Sequence, residues 1–179
     1  KTLSEKGINT YPSDSNRSHS ISDALKNFDA FAATKDSLTL AGRILAKREH
    51  GGSVFLDIND GSGKIQAYLK QDEIGDALFQ QFQELIDIGD IIEVSGYLFL
   101  TKKAERSLHV TAYRLLTKAL LPLPEKWHGL QDVEERYRKR YLDLIFNEDV
   151  RNRFLLRSII IQEMRNFMLN NGFLEVQTP

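Results

Sequence analysis

The stretch SVFLDINDGSGKIQAYL, Ser53 to Leu69, decides the fold. Its first six residues alternate with the period of two of a half-buried strand: Val54, Leu56 and Ile58 face one way, Ser53, Phe55 and Asp57 the other. Asn59-Asp60-Gly61-Ser62-Gly63 is a cluster of turn formers. Lys64 to Leu69 then alternates again, with Ile65, Ala67 and Leu69 on one face and Lys64, Gln66 and Tyr68 opposite. Two alternating segments around a short Gly-rich loop predict a β-hairpin with one apolar face.

Upstream, Leu38 to Arg48 reads as a strand with Leu40, Gly42, Ile44 and Ala46 inward and Arg43 outward. Gly42 is placed to mark a bend where one strand serves both sides of a small barrel. Downstream, Asp72 to Ile88 shifts to helical spacing through Ile74, Leu78, Phe82 and Leu85, and Gly89 stops it. Two more strands follow, Ile91 to Leu100 and Leu108 to Thr117, around a loop from Thr101 to Ser107. Three strands, a helix and two strands is the order of an OB-fold, a five-stranded Greek-key barrel whose outer face over strands two and three binds oligonucleotides. Periodicity predicts that order, and closure into a barrel is expected from the likeness of the pattern.

At the edges the composition changes. Residues 1–20 are rich in Ser, Asn and Lys and read as an arm with little structure of its own, before a short helix from Ile21 to Phe31 capped by Ser20 or Ser22. After Pro122 and Pro124 the chain turns helical. Asp132 to Ile145 carries Val133, Tyr137, Tyr141 and Leu144 on one stripe, with Arg136, Arg138, Lys139 and Arg140 around it. Those cations read as a salt-bridged helix face rather than an RNA clamp. A second helix, Asn147 to Asn170, carries Phe154, Ile161, Met164 and Met168 on its apolar side, and Phe173 to Val176 starts a strand that breaks at Pro179. The expectation is a mainly β chain with α: an arm and helix (1–36), the barrel (37–120), a hinge and connector helix (121–146), and a helix and strand (147–179).

Composition narrows the function classes. The 179 residues contain no Cys, which excludes disulfide frameworks and thiolate metal sites. The four His are too scattered for ligand spacing, so no metal site is expected. No apolar run approaches the roughly 20 residues of a membrane span, and no signal-peptide pattern opens the chain, so no membrane partner is expected. The chain opens on Lys1 rather than Met, so residues are expected to precede it. The net charge is −1, and residues 37–120 hold ten Lys and Arg against eleven Asp and Glu. Any RNA site is therefore local, suited to reading a few exposed bases rather than gripping a long backbone.

Phe55 is the sharpest single residue. An aromatic on the polar side of a clean alternation is either a platform for an unpaired base or a surface ring covered by the N-terminal helix. Gln66 shares its face, and its amide both donates and accepts, as a base edge requires. Arg43 either stacks or binds phosphate there, or pairs with a carboxylate such as Asp57. Glu105, on the rim loop, makes sense near RNA only as an acceptor from a base amino or imino group, which confers specificity rather than attraction.

Two sets of motifs resemble a known family. AGR, SVFLDIND, GKIQAYL and TKKAERS are similar to the anticodon-binding domain of class II lysyl-tRNA synthetases. The run from Leu115 to Ile145, LLTKALLPLPEKWHGLQDVEERYRKRYLDLI, resembles that family's connector, and Val150 to Pro179, ending GFLEVQTP, resembles motif 1 of the class II catalytic domain. The resemblance implies that Phe55 stacks on the central uridine of the anticodon, that Gln66 and Glu105 bond anticodon bases, and that Arg43 supports the same face. It also implies a dimer interface containing Phe154, Ile161, Met164, Met168 and Pro179. Ala104-Glu105 departs from the family's usual Gly-Glu, which bears on the turn that aims Glu105.

The whole enzyme so implied is a cytoplasmic homodimer that activates lysine with ATP and Mg2+ and transfers it to tRNA(Lys). The later class II motifs would lie beyond Pro179, so these residues are expected to hold no catalytic residue, to bind neither cofactor and to be inactive alone. The alternatives are an aspartyl- or asparaginyl-type synthetase of the same class, which shares barrel and motif 1, and a free-standing OB-fold RNA-binding protein.

Overall fold

Strands β1 (Leu38–His50), β2 (Ser53–Asn59), β3 (Lys64–Lys70), β4 (Ile91–Leu100) and β5 (Arg106–Thr117) close a barrel in the order β1-β2-β3-β5-β4. The computed structural model describes residues 2–124 and 132–177, without the side chains of Thr2 and Ser4. Pro179 and the part of the connector motif at 125–131 lie outside the described residues. The chain divides into two units, Lys1–Pro122 and Leu123–Pro179.

Alternation fills the barrel. Leu40, Ile44, Val54, Leu56, Ile58, Ala67, Leu69, Ile92 and Val94 are wholly buried in one core. Each such side chain contributes roughly 1.5–3 kcal/mol on burial, so the hairpin face read from the sequence is the barrel interior. β1 pairs with β4 through Leu38–Arg43 and with β2 from Arg43 on, so it serves both sides of the barrel. Gly42 sits at that switch, where a Cβ would lie 2.6 Å from Ile58 Cγ2 and 2.8 Å from the Asn59 carbonyl oxygen. Only glycine allows the approach.

A bulge follows. Ile44 faces Ile58 but Ala46 faces Asp57, so Leu45 is the extra residue and the alternation flips. Ala46, expected inward, therefore lies on the outer face, and Arg48 comes opposite Phe55.

The N-terminal residues are tied down rather than free. After α1 (Thr2–Glu5), Leu3 and Ile8 pack on the core. The Asn16 N–H and the Ser15 hydroxyl both donate to Glu93, and the Ser18 N–H donates to the Thr39 carbonyl at 2.9 Å. The expected single helix is two, α2 (Ile21–Lys26) and α3 (Phe28–Thr34), broken at Asn27. Ser20 is the cap, its hydroxyl accepting from the Asp23 N–H at 3.0 Å. The helix between β3 and β4 is likewise split, into α4 (Gln71–Ile74) and α5 (Asp76–Leu85), at Gly75 with φ +86. That break rotates the apolar face. Ile74, Phe79, Phe82 and Ile86 are buried, while Leu78 is half exposed. Lys47 Nζ, opposite Leu56 after the bulge, donates to the Gln83 and Ile86 carbonyls at the end of α5.

In the second unit the expected connector helix is also two, α6 (Val133–Arg138) and α7 (Arg140–Phe146). Asp132 caps α6, accepting from the Glu135 N–H at 2.7 Å. Each cation of the 136–140 run meets a carboxylate: Arg138 with Glu134, Lys139 with Glu135, and Arg136 and Arg140 with the buried Asp143. Burial pushes the Asp143 carboxyl up, but hydrogen bonds from Asn147 and Arg136 and the charges of both arginines outweigh it and hold it below the usual aspartate range.

Helix α8 (Glu148–Asn170) is the long element of this unit. Its apolar residues are not confined to the expected stripe, since Leu155, Leu156, Ile159, Ile160, Phe167 and Leu169 are exposed as well. Residues 173–176, expected to begin a strand, form none. A strand needs a neighbouring backbone to take its N–H and C=O groups. Here the Phe173 N–H donates to the Met168 carbonyl, and Glu175 pairs with Arg165 at 3.0 Å, folding the segment back along α8.

Candidate nucleic-acid interface

The register of all five strands builds one row across the outer face of the barrel. Arg48 of β1 lies opposite Phe55 of β2, Phe55 opposite Tyr68 of β3, Tyr68 opposite His109 of β5, and His109 opposite Tyr97 of β4. The rings meet in sequence: Phe55 to Tyr68 at 4.8 Å, Tyr68 to His109 at 5.4 Å, and His109 stacked on Tyr97 at 4.8 Å. Such aromatic pairs contribute roughly 0.5–1.5 kcal/mol beyond the area they bury. His109 is itself buried, with Nε2 3.2 Å from Glu73 of α4.

The next row is polar at its centre: Asp57, Gln66, Ser107 and Phe99. Gln66 Nε2 donates to Glu105 Oε2 at 2.9 Å, and the buried Ser107 hydroxyl donates to Gln66 Oε1 at 3.1 Å. Those two bonds fix which way the amide points. Gln66 and Glu105 thus form one preset donor–acceptor unit in the free protein.

The loop that carries Glu105 is a tight turn. The Thr101 N–H donates to the Glu105 carbonyl, the Ala104 N–H to the Thr101 carbonyl, and the Glu105 N–H to the Thr101 hydroxyl. Ala104 has φ +58, the left-handed conformation that glycine takes freely. An alanine holds this conformation at a strain of roughly 1–2 kcal/mol.

Between the two rows lies an open groove of about 690 Å3, within the size range of ligand sites. Arg48, Phe55, Gln66, Tyr68, Phe99 and the loop residues 101–103 and 105 line it. Lys102 and Lys103 stand with Glu105 on the rim and Arg48 is paired with Asp57, so cations outnumber carboxylates around the groove although the chain as a whole is at −1.

Of the four residues expected here, Phe55, Gln66 and Glu105 come together and Arg43 does not. Arg43 Nη1 donates to the Gly89 carbonyl at 2.7 Å, away from the groove. Arg48 stands beside Phe55 instead, with its guanidinium 3.2 Å from Asp57, which Lys64 also approaches. Arg43 keeps its outward parity but faces Asn59, four residues along β2 from Phe55, whereas the Leu45 bulge changes the parity of β1 and turns Arg48 outward beside Phe55. Tyr68 and Phe99 also belong to the groove; their outward parity is visible in the sequence, as it is for Phe55. Of the residues expected at a dimer interface, Phe154, Ile161, Met164 and Met168 are all exposed on α8. Ile161, Met164 and Met168 share a cavity with Phe173 and Leu174, and the Arg140 guanidinium lies over the Phe154 ring.

Residues 38–116 match the family described as the OB-fold nucleic acid binding domain, and residues 132–179 match tRNA synthetases class II (D, K and N). Fold, groove and these two matches together define a nucleic-acid-binding barrel joined to a class II synthetase segment. Over 99% of its length the chain is 48% identical to a lysine–tRNA ligase of Carboxydothermus hydrogenoformans, covering 36% of that protein. It is 46% identical over 98% to one of Oceanobacillus iheyensis and 48% identical over 99% to one of Dehalococcoides mccartyi, again covering 36% of each. The chain belongs to the class II lysyl-tRNA synthetases, whose N-terminal region it matches. It spans about a third of the length of these relatives.

Proposed function

We propose that this chain is the anticodon-reading part of a lysine–tRNA ligase, and that the outward face of β2 and β3 takes the anticodon of tRNA(Lys). The observation that carries the reading is the meeting of Phe55 with the Gln66–Glu105 pair in one groove. Phe55 offers a face on which a base stacks, and base–aromatic stacking is indifferent to base identity. The Gln66–Glu105 unit offers one donor–acceptor edge already held in place, and a base that fails to match it leaves buried polar groups unpaired. Stacking supplies affinity; the preset pair supplies discrimination. Arg48 and the lysines of the loop supply the phosphate contacts that the overall charge does not.

The whole enzyme activates lysine with ATP and Mg2+ and transfers it to the tRNA in the cytoplasm. Among the described residues no group of three or more His, Cys, Asp or Glu is placed to hold a metal ion. No helix among them is long and apolar enough to cross a membrane. The exposed apolar residues of α8 support a homodimer of the whole protein, with Phe154, Ile161, Met164 and Met168 inside the interface. Relatives named as lysine–tRNA ligases favour lysine over the aspartyl and asparaginyl reading, and the class II segment at 132–179 speaks against a free-standing RNA-binding module.

Isothermal titration with the anticodon stem-loop of tRNA(Lys) tests the reading. Phe55→Ala is expected to weaken binding by about 1–3 kcal/mol, the value of one base–aromatic stack, with an unchanged circular dichroism spectrum. Unaltered affinity would overturn it.

A further inference from the structure

Phe99 is a groove residue to which the anticodon reading gives no task. It stands outward on β4, at the end of the row that runs through Gln66 and Ser107, whereas Phe55 stands on the adjacent row at the opposite edge. The two rings flank Tyr68, at 4.8 Å for Phe55 and 6.1 Å for Phe99. They are therefore two separate platforms, with the Gln66–Glu105 pair between them. Phe99 meets His109 edge-on at 5.5 Å and is only half-buried, so part of its surface is left to the groove.

We propose that Phe99 is a second stacking surface, which takes the unpaired base next to the one on Phe55. The proposal rests on the anticodon reading and extends it from one base to two. The groove then holds two splayed bases, one at each end, as single-stranded RNA is held when its bases are turned out onto aromatic side chains. Lys102 and Lys103, on the loop between β4 and β5 that directly follows Phe99 and Leu100, provide cations for the phosphodiester at that end, and Arg48 provides one beside Phe55.

The test is titration of this chain with three stem-loops: the full anticodon loop, and two carrying an abasic site at either neighbour of the central position. Phe99→Leu, which keeps an apolar side chain, is expected to bind the full loop about five- to 100-fold more weakly. Phe99→Tyr, which keeps the ring, is expected to stay within about twofold of wild type. With one of the two abasic loops, Phe99→Leu and wild type are expected to bind equally, because the partner base is gone; with the other loop the difference persists. A Phe99→Leu defect that is undiminished on both abasic loops would overturn the proposal and make Phe99 a packing residue. So would full affinity of Phe99→Leu for the intact loop. If Phe99→Leu fails to fold, wild type and Phe99→Tyr decide the matter. Neither abasic loop binding wild type more weakly than the intact loop would then overturn the proposal. Loss of binding by Phe55→Ala alongside any of these results leaves the anticodon reading standing, whereas no binding by wild type removes both.

Discussion

The barrel and helix α8 spend similar apolar content in opposite ways. In the barrel, Leu40, Ile44, Leu56 and Ile58 have no exposed surface, and every second residue of the hairpin is closed off by its neighbours. In α8, Val150 is the one buried residue, while Ile161, Met164, Phe167 and Met168 remain 40–66% exposed. A strand in a closed sheet finds its covering surface within the same 80 residues, whereas the apolar residues of α8, interspersed with its charged ones, find little cover in their own unit. The barrel thus covers its own apolar faces, whereas α8 leaves most of its apolar side chains exposed.

That contrast has a direct thermodynamic consequence. Leu56→Ala is expected to cost about 2–5 kcal/mol in urea unfolding of this chain, from lost transfer energy plus a cavity. Ile160→Ala, on the exposed flank of α8, is expected to change it by less than roughly 0.5 kcal/mol. Equal losses at the two positions would break the comparison, because α8 would then be as covered as the barrel.

The N-terminal residues sharpen it further, since they complete the barrel through a buried charge. Burial raises the Glu93 carboxyl, but the Asn16 N–H, the Ser15 hydroxyl and Arg114 together outweigh it and hold it below the ordinary glutamate value. A depressed carboxyl contributes stability that is complete above its unfolded value, near 4.5, and is lost as pH falls through the lower folded value. Limited proteolysis across pH 7 to 3 is expected to release residues 1–20 first at the acid end. Glu93→Gln is expected to expose them already at neutral pH, at a cost of about 1.5–3 kcal/mol for the lost charged hydrogen bonds. Release that ignores both acid and the substitution would contradict this anchoring of the N-terminal residues through Glu93.

The smallest effect concerns the rim loop. Ala104→Gly relieves a left-handed alanine at φ +58, a gain of roughly 1–2 kcal/mol, against about 0.4–1 kcal/mol of added unfolded-chain entropy. A rise in Tm by a few degrees is expected. A fall would mean that the turn gains nothing from glycine.

The parts legible in the sequence were those set by local periodicity. The hairpin Ser53–Leu69 reads directly because every second residue is apolar and the turn is marked by five turn formers. Phe55 and Gln66 follow from that parity. Arg48 reads as inward from the same alternation, because the Leu45 bulge that turns it outward lies between two apolar residues and leaves no mark in the pattern. Gly75 was visible, yet a helical spacing drawn through Ile74 and Leu78 passes over it and assigns Leu78 to the core. The N-terminal segment looked unstructured because its composition is polar, and its partner Glu93 lies 77 residues away from Asn16. Long-range pairing of this kind has no local signature.

The central claim is that a preset Gln66–Glu105 pair reads one base in the groove. Titration of wild type with stem-loops that differ only by uridine or cytidine at the central anticodon position, at one fixed salt concentration, tests it. A preference for uridine of tenfold or more is predicted, about 1.4 kcal/mol or above, and it should collapse toward equality in Gln66→Ala while that variant still binds. Equal binding of both loops by the wild-type chain would contradict the account and leave the groove a sequence-blind platform for single strands.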